Sequence, residues 1–393
     1  MKKIMGISAT ILMLASPAYA EDIKIGISLG FTGPLESLAP AMNNGAQMAI
    51  DEVNESKALL EGSSVTSVRG DSTCADMAAA VATGERLITS EKVNAIVGPM
   101  CSGASAAVLE GVAIPNGVVM ISPSATGPNL SIVEDNGLFF RTAPSDARSA
   151  EVLADILHEK GYKSIAITYV NNDYGKGLAA GIETNFIAGG GSVSINVGHE
   201  ESKADYSSDV AALAQAGGDI LVVAGYADGG GSAIIRGSLD AGSFENFFLP
   251  DGMYAPSLTE TFGNEINGAI GASAGTDSPG NATFKEMFAE AGFEFSVYAD
   301  TAYDAAALIM LSMQSANSSS SSDLKEHVFD VANEPGEKIY PGEIEKGLKI
   351  LADGGEINYE GASAVNLIGP GESSGAYQQY EVINGQFEIV GYR

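Results

Sequence analysis

Short apolar runs alternate with stretches of helical period along almost the whole chain. Ile23 to Leu29 alternates and then turns wholly apolar, as a strand covered on both faces does. Between Ala41 and Lys57, the residues Met42, Ala46, Ala49, Ile50 and Val53 recur at helical spacing. Val65 to Arg69 predicts the next strand and Met77 to Thr89 the next helix. Asn94 to Val97 reads as a short buried strand, a helix-like apolar segment follows Ser105, and Val118 to Ile121 gives a further apolar run. Such alternation predicts a parallel sheet with helices on both faces.

The series starts afresh after Leu138 to Thr142. Helices are predicted over Ala147 to Lys160, Ser208 to Ala216 and Ser232 to Ala241, and another follows the loop Asn171 to Gly175. Strands are predicted over Ser164 to Val170, Val193 to Val197, Asp219 to Gly225 and Phe247 to Leu249. The remainder offers helices at Ala282 to Ala291, Val297 to Met313 and Glu343 to Leu351, a serine loop at 318–322, and a hairpin around Asn384-Gly385. These last pieces lack a full sheet of their own, so they should complete the two earlier series. The expected fold is α/β, with two similar doubly wound lobes of mainly parallel sheet and a chain that crosses between them more than once.

Residues 1–20 are of another kind: Lys2 and Lys3, an apolar run from Ile4 to Leu14, and Ala18-Tyr19-Ala20 as a small-x-small cleavage signal. The expectation is a secretory leader removed before Glu21. No other segment approaches the roughly 20 apolar residues that a membrane span requires. Export gives meaning to the two cysteines, Cys74 and Cys101. In an oxidising compartment an even pair reads as a disulfide, whereas a metal site would need more ligands. The bridge would stabilise by roughly 3–4 kcal/mol on the chain-entropy model, and it would pin the turn at Ser102 beside the loop carrying Asp71.

With 50 acidic against 20 basic residues, the formal net charge is −30, which argues against nucleic acid or an anionic membrane as partner. The three histidines, His158, His199 and His327, are scattered and give no zinc spacing, so neither metal nor cofactor is expected.

The chemistry concentrates in two turns. Gly98-Pro99-Met100-Cys101-Ser102 follows one predicted strand and Ser122-Pro123-Ser124-Ala125-Thr126 the next. Turns at the carboxyl ends of parallel strands face the ligand crevice, and backbone N–H groups there suit an anion. Taken singly, Ser102, Ser124 and Thr126 are equally good as caps and turn formers, and Asp251 in Pro250-Asp251-Gly252 is equally good as a turn aspartate.

Together with Phe31-Thr32-Gly33-Pro34, Asn172-Asp173-Tyr174-Gly175-Lys176-Gly177, and Gly225-Tyr226 after a strand, these motifs resemble the periplasmic leucine/isoleucine/valine-binding protein family over essentially Glu21 to Arg393. That family comprises type I solute-binding proteins of ABC transporters. The resemblance implies three crossover segments around a ligand cleft, with one lobe from 21–142 plus 275–374 and the other from 143–274 plus 375–393. It also implies a monomer closing on an amino acid and delivering it to a membrane permease. Ser102 and Thr126 would bind the α-carboxylate. Ser124 through its carbonyl, Thr126 through its hydroxyl, Tyr226 and Asp251 would surround the α-ammonium, and Met100 and Tyr174 would lie near the ligand side chain. Cys74 and Cys101 match the family's disulfide.

The chain departs from that pattern in having Asp251 where branched-chain binders commonly carry glutamate, and Leu38 near a place where some members present an aromatic. Glu36 and Ser37 could then face the cleft. Arg69, Arg141 or Lys176 could serve an acidic or amide ligand, though each reads more readily as a solvated surface charge. Two alternatives are a ligand sensor of the same fold and a hydrolase. The second would use Gly271-Ala272-Ser273-Ala274-Gly275, a Gly-x-Ser-x-Gly match that requires a strand, a sharp turn and a helix, yet is followed by loop-like sequence. Gly229-Gly230-Gly231 lacks the lysine of a P-loop.

Overall fold

The computed structural model describes residues 20–393, so the expected leader lies outside the described residues apart from Ala20. The first sheet contains β1 (Asp22–Leu29), β2 (Ser64–Asp71), β3 (Ala95–Val97), β4 (Val119–Ser122) and β5 (Phe139–Pro144). The second contains β6 (Ser164–Val170), β7 (Ser192–His199), β8 (Ile220–Ala224), β9 (Phe247–Pro250) and β10 (Ile270–Ala274). Late in the chain come β11 (Glu337–Ile339) and β12 (Ile357–Tyr359), paired with each other, then β13 (Leu367–Ile368), β14 (Glu372–Ser373), β15 (Tyr377–Ile383) and β16 (Gln386–Tyr392).

The strand orders are β13-β14-β5-β4-β3-β1-β2 and β16-β15-β10-β9-β8-β6-β7. Both sheets therefore repeat one doubly wound plan. In each, the second strand in sequence lies on one side of the first and the third on the other, so the order reverses at β1 in one sheet and at β6 in the other. Strands β1 to β5 and β6 to β10 pair in parallel, and each sheet is finished by pieces from the end of the chain. Asn384 and Gly385 both have positive φ, 51° and 74°, which is the backbone a two-residue hairpin turn between β15 and β16 requires.

Three connections carry the chain between sheets: after β5, after β10 and between β14 and β15. They touch one another. Gly275 N donates to Ala376 O at 3.0 Å, and a Cβ on Gly375 would come within 2.5 Å of Pro144. After the second crossing, the helix Ala299–Ala316 returns to the first lobe and buries itself against the helix Ala39–Ser56. A side chain at Gly45 would lie 2.1 Å from the Ala299 carbonyl, so only glycine permits this approach.

The structure corrects several sequence expectations. Tyr298, which the sequence places inside a helix from Val297, stands in a left-handed conformation, φ 69°, and the helix begins only at Ala299. The serine loop is partly helical, over Ser321–Leu324. Ser273 sits inside β10, 2 % exposed, and accepts a hydrogen bond from Gln378 on the neighbouring strand. The strand runs on through Ala274 and the next helix begins only at Pro279, so no sharp turn presents the serine and the nucleophile-elbow reading is withdrawn. Gly229 does cap a helix, Gly230–Ala241, but the Glu201 carboxylate already accepts from Gly230 N there at 3.0 Å, which is the wrong sign for a phosphate.

Candidate functional site

The carboxyl ends of β3 and β4 in one lobe face those of β6, β8 and β9 in the other. Between them Met100, Ser102, Ser124, Tyr174, Tyr226 and Asp251 line a single cavity, joined by Leu35, Leu38 and Tyr298. The cavity holds only about 20 Å³, so the lobes stand closed on it. Six of the seven sequence-predicted site residues are thus brought together. The seventh, Thr126, stands behind the lining.

On the first lobe, the two turns are knit to each other. Gly98 adopts φ 112° with its Cα against β1, where a Cβ would meet Ser28 O at 2.1 Å. Ser122 Oγ donates to Pro99 O at 2.6 Å and accepts from Ala125 N, while Ser124 Oγ donates to Met100 O at 2.8 Å. Ser102 Oγ accepts from Gly127 N at 2.9 Å, leaving its own proton free for an anion. The Cys74–Cys101 disulfide is formed, with Cα atoms 5.4 Å apart, and it ties the first turn to the loop after β2.

Arg141 is the largest correction. It is 1 % exposed, and its guanidinium donates to Ala125 O and Gly127 O at 3.0 Å, to Ser131 Oγ at 2.6 Å and to Glu372 at 2.5 Å. A cation placed mid-strand looks like a surface charge in sequence; here it braces the second turn from behind.

On the second lobe, Asp251 follows β9. Tyr174 donates to its Oδ1 at 2.8 Å and Tyr298 to its Oδ2 at 2.7 Å. Tyr174 stacks on Tyr226 with centroids 5.4 Å apart, and Asn172, which caps the helix Asp173–Ala188, donates to Tyr226 Oη. Burial raises the Asp251 carboxyl above its ordinary range, while the two phenols pull it back toward the ionised form. The hydroxyl of Thr126 donates to Asp146 Oδ2 at 2.9 Å. Asp146 is fully buried, and burial followed by repulsion from Asp251 pushes its carboxyl well above the usual range.

Sequence reasoning missed Asp146 and Tyr298. Asp146 opens a helix right after the cap Ser145, a place where acids are common, and Tyr298 precedes an apolar helix. Neither signals a site without its tertiary neighbours. Ser37 faces the lobe junction instead of the cavity, with its N–H on Asp228 Oδ2 at 3.0 Å, while Glu36 is exposed. Arg69 lies over the Phe31 ring at 3.5 Å and Lys176 is exposed on a neighbouring groove. Among the described residues no group of acids, histidines and cysteines could hold a metal ion.

Twin doubly wound lobes closed on a polar cavity define a two-lobed binding-protein architecture. The chain belongs to the periplasmic binding protein family, whose sequence profile matches residues 22–329. It is 28% identical over 260 residues to the Leu/Ile/Val/Thr-binding protein of Salmonella typhimurium, covering 66% of this chain and 70% of that one. Among solved structures it resembles a leucine-binding protein from Thermotoga maritima, with a TM-score of 0.81, 22% identity, and coverage of 94% of this chain and 98% of that one. It also resembles a solute-binding protein of an ABC transporter from R. palustris in complex with benzoate, with a TM-score of 0.76, 18% identity, and coverage of 94% and 96%.

Proposed function

We propose that this chain captures a free amino acid with an apolar side chain between its lobes and delivers it to the membrane permease of an ABC transporter. One observation carries the reading: Asp251 looks into a cavity whose opposite wall offers the free proton of the Ser102 hydroxyl, while no lysine or arginine lines it. A zwitterion fits that polarity, its carboxylate on the Ser102 hydroxyl and the N–H groups of the two turns, its ammonium on Asp251 and the Ser124 carbonyl. Leu35, Leu38 and Met100 give the remaining wall an aliphatic character. The relatives named for leucine, isoleucine and valine support the choice. A benzoate-like ligand brings a carboxylate with no cation for Asp251, so that acid would stay uncompensated.

The cavity is too full to admit a ligand as it stands, so capture requires the lobes to part and close again, with the ligand favouring the closed form by its higher affinity for it. The boundaries we propose for the lobes are 21–142 plus 275–374 and 143–274 plus 375–393, in keeping with the sheet to which each strand belongs apart from Ala143 and Pro144 at the end of β5. The protein works as a monomer in the periplasm after loss of residues 1–20, without a catalytic role and without nucleic acid.

Calorimetric titration with leucine, isoleucine, valine, threonine, glutamine and 4-hydroxybenzoate tests the assignment. Binding of an aliphatic amino acid is the expected result. Tighter binding of the hydroxybenzoate, or no heat from any amino acid, would overturn it.

A further inference from the structure

Between β1 and the helix Ala39–Ser56 the chain runs Phe31-Thr32-Gly33-Pro34-Leu35-Glu36-Ser37-Leu38. Two tight turns shape this strap, with Glu36 N donating to Gly33 O at 3.2 Å and Leu38 N to Leu35 O at 3.1 Å. Leu35 and Leu38 line the cavity, and Ser37 between them does not. The strap is rooted on the first lobe. At the end of β2, Asp71 Oδ1 accepts from Phe31 N at 3.1 Å and from Thr73 N at 2.9 Å, while its Oδ2 accepts from the Thr32 hydroxyl at 2.7 Å. Gly33, at φ 103°, passes so near that a Cβ would meet Thr73 O at 2.4 Å.

The far end is fastened across the cleft. Asp228, in the turn after β8, accepts from Ser37 N at 3.0 Å through Oδ2 and from the Ser257 hydroxyl through Oδ1. Its own N–H donates to Pro34 O at 3.2 Å. Ser37 Oγ and Ser257 Oγ stand 3.3 Å apart, and since Ser257 gives its proton to Asp228, Ser37 is the donor of that pair. The lobes approach closely here: a Cβ on Gly229 would lie 3.0 Å from Pro34 Cβ. Neither Asp228 nor Ser257 lines the cavity, so these bonds join the lobes without passing through a ligand.

We propose that Asp228 is a positioning residue for ligand capture: it latches the strap that carries Leu35 and Leu38 onto the second lobe and so slows the ligand's release. The inference rests on the amino-acid reading above for the identity of the ligand, whereas the latch stands on the contacts just described. A bond made only between closed lobes favours the closed form whatever lies in the cleft, and apparent affinity scales with the share of molecules in that form. Encounter takes place while the cleft is open and the latch unmade, so the latch acts on the rate of leaving and hardly on the rate of arrival. It also holds the aliphatic wall, because Ser37 cannot swing away without taking Leu35 and Leu38 with it.

The test is stopped-flow kinetics of the full chain with leucine. Asp228→Ala should release leucine about ten- to a hundredfold faster, since two hydrogen bonds to a charged group are lost, while association stays close to the wild-type rate. Ser257→Ala, which leaves the turn after β8 untouched, should speed release by about three- to tenfold. Asp228→Asn keeps an acceptor for Ser37 N and gains a donor for Ser257 Oγ, so it should recover most of the wild-type residence time. A merely structural Asp228 would give an alanine variant that melts lower yet releases leucine at the wild-type rate, and that result would refute the proposal. Hydrogen exchange of the ligand-free chain separates the latch from the amino-acid reading. The Ser37 amide should be protected in the wild type and exchange faster in Asp228→Ala; equal exchange in both would overturn the latch. Protection lost in the variant, together with no binding of leucine by the wild type, would uphold the latch and end the amino-acid reading.

Discussion

In the first sheet the turns after β3 and β4 carry Ser102 and Ser124; in the second the corresponding turns, after β8 and β9, carry Tyr226 and Asp251. The first pair belongs to a web of short hydrogen bonds closed by a disulfide and a buried guanidinium. The second pair is held by phenols around a carboxylate whose charge nothing opposes. A doubly wound sheet thus delivers side chains to its crevice by strand order alone, whatever their chemistry. What each lobe offers a ligand is decided by a few residues on that shared frame: one side is already satisfied and stiff, the other is waiting for a cation.

If the first side owes its stiffness to Arg141, then Arg141→Met should cost about 3–5 kcal/mol in urea denaturation, because Glu372 and two carbonyls lose a buried partner. A loss below about 1 kcal/mol would show that the turns brace themselves. Asp251→Ala should weaken amino-acid binding by about 2–5 kcal/mol in calorimetry with little loss of melting temperature, because it removes the counter-charge and relieves Asp146. Unchanged affinity would erase the proposed polarity of the cleft. Ser102→Ala should cost about 1 kcal/mol of affinity, one hydrogen bond among several to the same carboxylate. A loss as large as that of Asp251→Ala would make the two sides energetically alike.

The smallest effect concerns Glu201, whose carboxyl burial pushes up to about 7 from 4.5. With the folded value raised, its contribution to stability is complete below the ordinary value and disappears as pH rises through about 7. Glu201→Gln should therefore melt higher than the wild type at about pH 8 and level with it at about pH 4. A gain at the acid end would reverse the sign and refute the assignment.

Much of this comparison could be read from the chain. The apolar period of most strands from β1 to β9 and the Asn384-Gly385 hairpin are local signals, and their alternation predicts two mainly parallel sheets, whereas β10, with its small residues, and the strand orders are not marked by it. The residues the sequence hid are those whose meaning lies in a distant partner. Arg141 finds Glu372 across 231 positions, Tyr298 finds Asp251 across 47, and Asp146 becomes unusual only beside Asp251. The strands β11 to β14 are two or three residues long, too short for a periodicity to mark them, and β14 finds its other partner far away in β5.

The three crossings after β5, after β10 and before β15 lie against one another along one margin of the molecule. Two bodies strung together at touching points cannot slide apart or spin independently; they can only swing about the line through those points. The opening proposed above would therefore retrace a single path and bring the serines and the aspartate back into the same alignment. Three passages of the backbone secure that repeatability, where a single flexible linker would leave the halves to find each other by diffusion.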